Sequence, residues 1–191
     1  MTKYKNKYRI ETTRLPGWDY ATPDWYFVTI CVKNRMPLFG CIQNGEMELS
    51  PLGNIANQFL IDIPKHFSRT HIDAFVVMPN HIHAIIVIGD TSVETPHVAS
   101  LHVTPPNAAP LPTGQSKREF GPLKPGSLSK IVQAYKAAVT RQARKDGFTD
   151  FFWQERFYEH IIRDDASLQN IRTYIAGNPV KWQEDEHFYP Y

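Results

Sequence analysis

The chain has 191 residues, of which 42% are hydrophobic, 13% aromatic and 21% charged, with a formal net charge of +2. This is an ordinary globular composition, and the length fits one domain with a real core. Two cysteines, Cys31 and Cys41, are too few for a disulfide scaffold or a zinc finger. The longest apolar run is far short of a membrane span, and no charged-then-apolar leader opens the chain, so the expectation is a soluble cytoplasmic protein with no membrane partner.

Charge is unevenly spread. Lys3, Lys5, Lys7, Arg9 and Arg14 crowd the start, and Lys117, Arg118, Lys124, Lys130, Lys136, Arg141, Arg144 and Lys145 crowd a later stretch. An acidic run, Glu184-Asp185-Glu186, lies elsewhere. Two basic regions permit an anionic partner without demanding one.

In chain order, Trp25 to Val32 reads as a strand and Glu46 to Leu49 as a short one. Ser50-Pro51 opens a helix expected to reach about Ile63, with Pro64 ending it. A hairpin follows over 72–89, with Phe75 to Met78 as one arm, Pro79-Asn80 as the turn, and Ile85 to Ile88 apolar enough to be buried on both faces. Composition then shifts: Pro96, Pro105, Pro106, Pro110, Pro112, Pro122 and Pro125 fall among small polar residues, which reads as a loop insertion at about 90–126 within one domain spanning 1–191. Ser127 caps a second helix whose apolar Leu128, Ile131, Val132, Tyr135, Ala138 and Val139 recur at helical spacing, with Lys130, Arg141, Arg144 and Lys145 on the other side. A strand, Phe157 to Ile162, precedes a third helix capped by Asp164-Asp165 and ended by Gly177-Asn178-Pro179. Hairpins interleaved with helices predict an α+β fold, a ferredoxin-like sandwich whose antiparallel sheet carries helices packed on one face.

Within the hairpin, Met78-Pro79-Asn80-His81-Ile82-His83 sets two histidines around one apolar residue. Side chains alternate along a strand, so His81 and His83 share a face while Ile82 turns into the core. Two imidazoles on a rigid sheet form a clamp. On the third helix, Tyr174 and Asn178 stand four apart and share a face, with Tyr174 at the edge of the Leu168, Ile171, Ile175 stripe. A phenol there reaches the sheet and still meets solvent. Tyr135 is the rival hydroxyl, but it sits in the middle of its own stripe, where packing explains it.

Three blocks in this order, Val77 to His83, Trp153-Gln154-x-Arg156-Phe157-Tyr158-Glu159-His160-Ile161-Ile162-Arg163, and Tyr174-Ile175-x-x-Asn178-Pro179-Val180-Lys181, resemble the REP-associated tyrosine transposases. These belong to the single-tyrosine HUH transposases that mobilise insertion sequences. The resemblance extends to Leu15-Pro16-Gly17-Trp18-Asp19-Tyr20 and Gly45-Glu46-Met47; the proline-rich loop is long for the family. It implies that His81 and His83 ligate a metal, that Asn178 completes the site one helical turn after the nucleophile, and that Tyr174 is that nucleophile. Glu159 and His160 recur in the family without an assigned role.

The implied activity is a metal-dependent transposase and endonuclease that cleaves and rejoins single-stranded DNA at hairpin-flanked sites. Phosphodiesters resist attack because the nucleophile meets anionic oxygens, and a cation plus a positioned nucleophile relieves this. Nitrogen and oxygen donors together suit Mg²⁺ or Mn²⁺. The implied intermediate is a 5′-phosphotyrosine that retains the phosphodiester's energy, so strands rejoin without ATP. The expected partner is single-stranded DNA with hairpin structure, held by Lys130, Arg141, Arg144 and Lys145, and relatives include both homodimers and monomers. Two alternatives stand beside it. One is a catalytically silent module that binds hairpin DNA. The other is a histidine-triad-type nucleotide hydrolase, against which Ile85 stands at the third histidine position and no glycine-rich phosphate loop adjoins.

Overall fold

The computed structural model describes residues 15, 17–89, 123–185 and 187–188, together with the backbone of the short paired strands Lys3–Tyr4 (β1) and Lys7–Tyr8 (β2). Most of the proline-rich insertion and the side chains of the basic N-terminal segment lie outside the described residues.

Four strands make the central sheet: Asp24–Cys31 (β3), Thr70–Val77 (β6), His81–Ile88 (β7) and Tyr158–Ile162 (β8). Their order is β6-β7-β3-β8, with every neighbouring pair antiparallel. β7 is central and buried at every position. Its even-numbered residues Ile82, Ala84, Ile86 and Ile88 join Tyr26, Val28 and Ile30 of β3 in the main core. Two helices close that core, Pro51–Ile61 (α1) through Leu52, Ala56 and Leu60, and Leu128–Lys145 (α3) through Leu128, Ile131, Val132, Tyr135, Val139 and Ala143.

The fold is the expected α+β sandwich on an antiparallel, ferredoxin-like sheet. α1 and α3 pack on one face, as expected, whereas Asp165–Gly177 (α4) lies on the other, where Ile175, Leu168 and Ile171 meet Phe27, Ile85, Val87 and Ile162. The apolar run of β7 explains this: a fully buried isoleucine contributes about 2–3 kcal/mol, so a strand apolar on both faces needs cover on both.

Local chemistry explains where the elements start and stop. Ser50 Oγ accepts from Gly53 N–H at 3.0 Å, Ser127 Oγ from Lys130 N–H at 3.4 Å, and Asp164 Oδ1 from Ser167 N–H at 2.7 Å, so each helix opens on its expected cap. Pro64 does not end the first helix. The helix breaks at Asp62 and resumes as Ile63–His66 (α2), with Pro64 in the new first turn, where an N–H would have no helical partner anyway. The short strand Glu46–Leu49 (β5) has a mate that was not expected, Gly40–Gln43 (β4). The two are joined by Asn44-Gly45 with φ of 53° and 79°, the positive values that a tight hairpin turn requires.

Candidate active site

His81 pairs with Cys31 and His83 with Thr29 in the β3–β7 ladder, on the same sheet face as Ile85 and Val87. Both are buried, at 0% and 2% exposure. Their Nε2 atoms face each other at 2.9 Å, while the Nδ1 atoms are held from behind, His81 by Asn80 Oδ1 at 2.8 Å and His83 by Thr29 Oγ1 at 2.9 Å. Phe27 stacks on His83, with ring centroids 5.4 Å apart. Burial, with the neighbouring His83 and His187 adding to it, holds His81 well below the ordinary histidine range. Burial, with His187 beside it, pushes His83 down to about 3. Both imidazoles are therefore neutral near pH 7 and able to present lone pairs.

α4 brings Tyr174 to this pair. Its hydroxyl lies 3.2 Å from His83 Nε2, its ring stands edge-on to His83, and the residue is 45% exposed. The helix is clamped by a bidentate pair in which Arg172 Nε donates to Asp73 Oδ2 at 2.7 Å and its Nη2 donates to Oδ1. Asp73 sits where the β6–β7 register shifts between Ile72 and Ala74, a bulge that aims its carboxylate at α4.

Asn178 caps α4 with helical φ and ψ of −60° and −43°, so Gly177 and Pro179 leave the turn intact. It is buried, and its Oδ1 has no hydrogen-bond partner among the described residues. The chain then runs through a 3₁₀ turn, Trp182–Glu184, and returns to the imidazoles. Each of Asp185, His81 and His83 offers a ligand atom, and these lie within 4.8 Å of one another. The His187 ring centroid is 4.6 Å from that of His81.

The structure thus gathers Tyr174, His81 and His83, and adds Asp185, which the sequence marks only as part of an acidic run. It does not bring the basic residues to them. Lys130, Arg141, Arg144 and Lys145 are exposed on α3, across the sheet from the imidazoles. There Arg141 and Arg144 line an open groove of about 500 Å³ with Lys136, Ala137, Thr140 and Trp153. Lys136 Nζ donates to the carbonyls of Gln154 and Arg156 at 2.7 and 2.9 Å, which ties that flank together. Tyr135 lies on this side too, buried, its hydroxyl donating to Ala56 O at 2.9 Å.

No protein-family model matches the chain. An uncharacterized protein of Haemophilus influenzae is 39% identical over 173 residues, covering 91% of this chain and 89% of that one. A second protein of that organism, named "Putative REP-associated tyrosine transposase", is 62% identical over 29 residues, 15% of this chain and 16% of its own. The fold is similar to the solved structure of a REP-associated tyrosine transposase bound to a REP hairpin, with a TM-score of 0.51 and 18% identity over all of this chain and 89% of that one. The chain shares a family with its 39% identical relative. The short close match and the fold are both to REP-associated tyrosine transposases, the family that the ordered sequence blocks resemble.

Proposed function

We propose that this protein is a divalent-metal-dependent strand transferase that cleaves and rejoins single-stranded DNA beside hairpins, with Tyr174 as nucleophile. The observation that carries the reading is Tyr174, a half-exposed residue whose hydroxyl lies 3.2 Å from one of two buried, neutral imidazoles. A packing tyrosine would not sit open to solvent against an imidazole pair; Tyr135, the tyrosine of α3, is buried and bonded to backbone.

The donor set fits a hard or borderline divalent ion. Adjacent ligands around an octahedral ion with bonds of about 2.1 Å stand about 3 Å apart, and the two Nε2 atoms are 2.9 Å apart. The buried Asn178 Oδ1 lacks a partner among the described residues, and Asp185 adds a carboxylate beside the imidazoles. His81, His83 and these two oxygen donors would hold Mg²⁺ or Mn²⁺, which when bound supplies positive charge to a non-bridging phosphate oxygen.

The chain's own groups do the rest. Phe27 behind His83 and the Asp73–Arg172 clamp under α4 hold the phenol at one place, so attack needs little reorganisation. The Tyr174 oxygen bonds to phosphorus as the bond to the 3′ oxygen breaks; the phenol gives up its proton and the departing 3′ oxygen gains one. The products are a 5′-phosphotyrosine and a 3′ hydroxyl, and the reverse attack by a hydroxyl rejoins the strand. The fold's likeness to a transposase seen on a REP hairpin supports a hairpin-bearing strand as substrate.

The test is incubation of the chain with labelled single-stranded DNA carrying a hairpin, plus Mn²⁺. A denaturant-stable protein–DNA adduct that vanishes with chelator and in Tyr174→Phe is expected. Hairpin binding without any adduct would replace the transferase with the silent binding module.

A further inference from the structure

The two imidazoles are held from behind by different chemistry, and the difference fixes where their protons sit. We infer that Asn80 locks His81 with its proton on Nδ1 and its Nε2 lone pair in the site, while Thr29 lets His83 alone exchange tautomers when a divalent cation is taken up. The second half rests on the metal reading above; the first stands without it.

Asn80 is wholly buried and its amide is fully committed. Nδ2 donates to Arg35 O at 3.0 Å and to His187 O at 2.8 Å, which uses both of its hydrogens and leaves Oδ1 facing His81 Nδ1 at 2.8 Å. An amide oxygen only accepts, so the hydrogen in that contact belongs to Nδ1. A neutral imidazole carries one N–H, and His81 Nε2 is therefore a lone pair.

That lone pair lies 2.9 Å from His83 Nε2. Two lone pairs at this distance repel, so without a cation His83 carries its hydrogen on Nε2 and donates it to His81, and the Tyr174 oxygen, 3.2 Å from the same nitrogen, stands as a second acceptor and not as a donor to it. Its Nδ1 then accepts from the Thr29 hydroxyl at 2.9 Å. Holding a cation between the imidazoles needs both Nε2 lone pairs, and the His83 hydrogen must move to Nδ1. Thr29 accommodates this because a hydroxyl rotates to accept as readily as it donates. The proton count is unchanged: one hydrogen leaves Nε2 to solvent and one arrives at Nδ1. Asn80 and Thr29 are positioning residues of different kinds, one rigid and one reversible.

Long-range ¹H–¹⁵N correlation spectra of the full chain with ¹⁵N-labelled histidine read each tautomer directly, with His81→Gln and His83→Gln supplying the assignments. Metal-free, His81 should be the Nδ1–H form and His83 the Nε2–H form; saturating Mg²⁺ should switch His83 alone. Asn80→Asp, whose carboxylate still accepts, should keep the His81 form, and Asn80→Leu should release it. Thr29→Val, close in shape but without the hydroxyl, should leave His83 as Nε2–H and weaken Mg²⁺ binding about tenfold; it serves even where Asn80→Leu does not fold. An Nε2–H form of His81 in the metal-free chain overturns the wiring. Correct metal-free forms that ignore Mg²⁺ overturn the His83 exchange and the metal reading together, and leave the Asn80 lock standing.

Discussion

Tyr135 and Tyr174 differ in what their hydroxyls can reach. Tyr135→Phe removes a donor from the buried carbonyl of Ala56 and should lower unfolding stability by about 1 kcal/mol in a denaturant titration, with adduct formation intact. Tyr174→Phe removes the hydroxyl of a half-exposed residue; stability should move by less than about 0.5 kcal/mol while the adduct disappears. An adduct lost in Tyr135→Phe and kept in Tyr174→Phe would overturn the assignment of the nucleophile. At this scale the shared face of His81 and His83 was legible from alternation in a strand and the stripe-edge place of Tyr174 from helical recurrence, while the roles expected of them came from the family resemblance. Asp185 was not legible. Its position depends on the chain turning back through Trp182–Glu184 after α4, and no local period encodes that return. Asn80 and Thr29 were hidden for another reason: each looks like ordinary turn or strand chemistry until its contacts are known, Thr29 with His83 across the ladder and Asn80 with His81 and the carbonyls of Arg35 and His187.

The elements themselves are held by a few specific contacts. α4 touches the sheet face through a thin apolar stripe, so the Asp73–Arg172 pair has a disproportionate part in keeping Tyr174 over His83. Asp73→Asn should slow adduct formation while leaving Mg²⁺ affinity at the imidazoles nearly unchanged, because the clamp acts on the helix and not on β7. Equal losses in both would mean that the bulge supports the whole sheet edge. On the opposite face α1 approaches the chain at Gly53, where an added Cβ would stand 2.0 Å from Phe39 O. Gly53→Ala should therefore cost about 1–3 kcal/mol of stability although it lies in a helix, where alanine normally helps. The helix caps were readable because Ser and Asp side chains satisfy the first free N–H groups. The break at Asp62 was not, since Pro64 reads equally well as a stop and as the first turn of a new helix. The face on which α4 packs lay beyond pattern reading for a similar reason: an apolar stripe shows that a helix has a buried side, but not which side of a doubly buried sheet receives it.

Across the whole molecule the sheet separates two surfaces, the imidazole–tyrosine face under α4 and the exposed basic face of α3. On the proposed reading the first does chemistry on a phosphodiester and the second holds backbone phosphates, so the two should be separable by mutation. Arg141 and Arg144 share one open groove and lie across the sheet from His83, too indirectly placed to touch the reacting phosphate. Replacing both, as Arg141→Glu with Arg144→Glu, should weaken hairpin-DNA binding steeply. It should also flatten the dependence of log affinity on log salt by about 0.7 for each lost phosphate contact on a single strand. At saturating DNA the rate of adduct formation should stay near that of the unaltered chain, because neither side chain orients Tyr174 or its imidazoles. Affinity measured at two salt concentrations, against both a hairpin strand and plain duplex of equal length, decides the matter. Unchanged affinity in the double variant would reduce these arginines to a solvated surface, and a lost rate at saturation would mean that DNA bridges the two faces around the edge of the sheet.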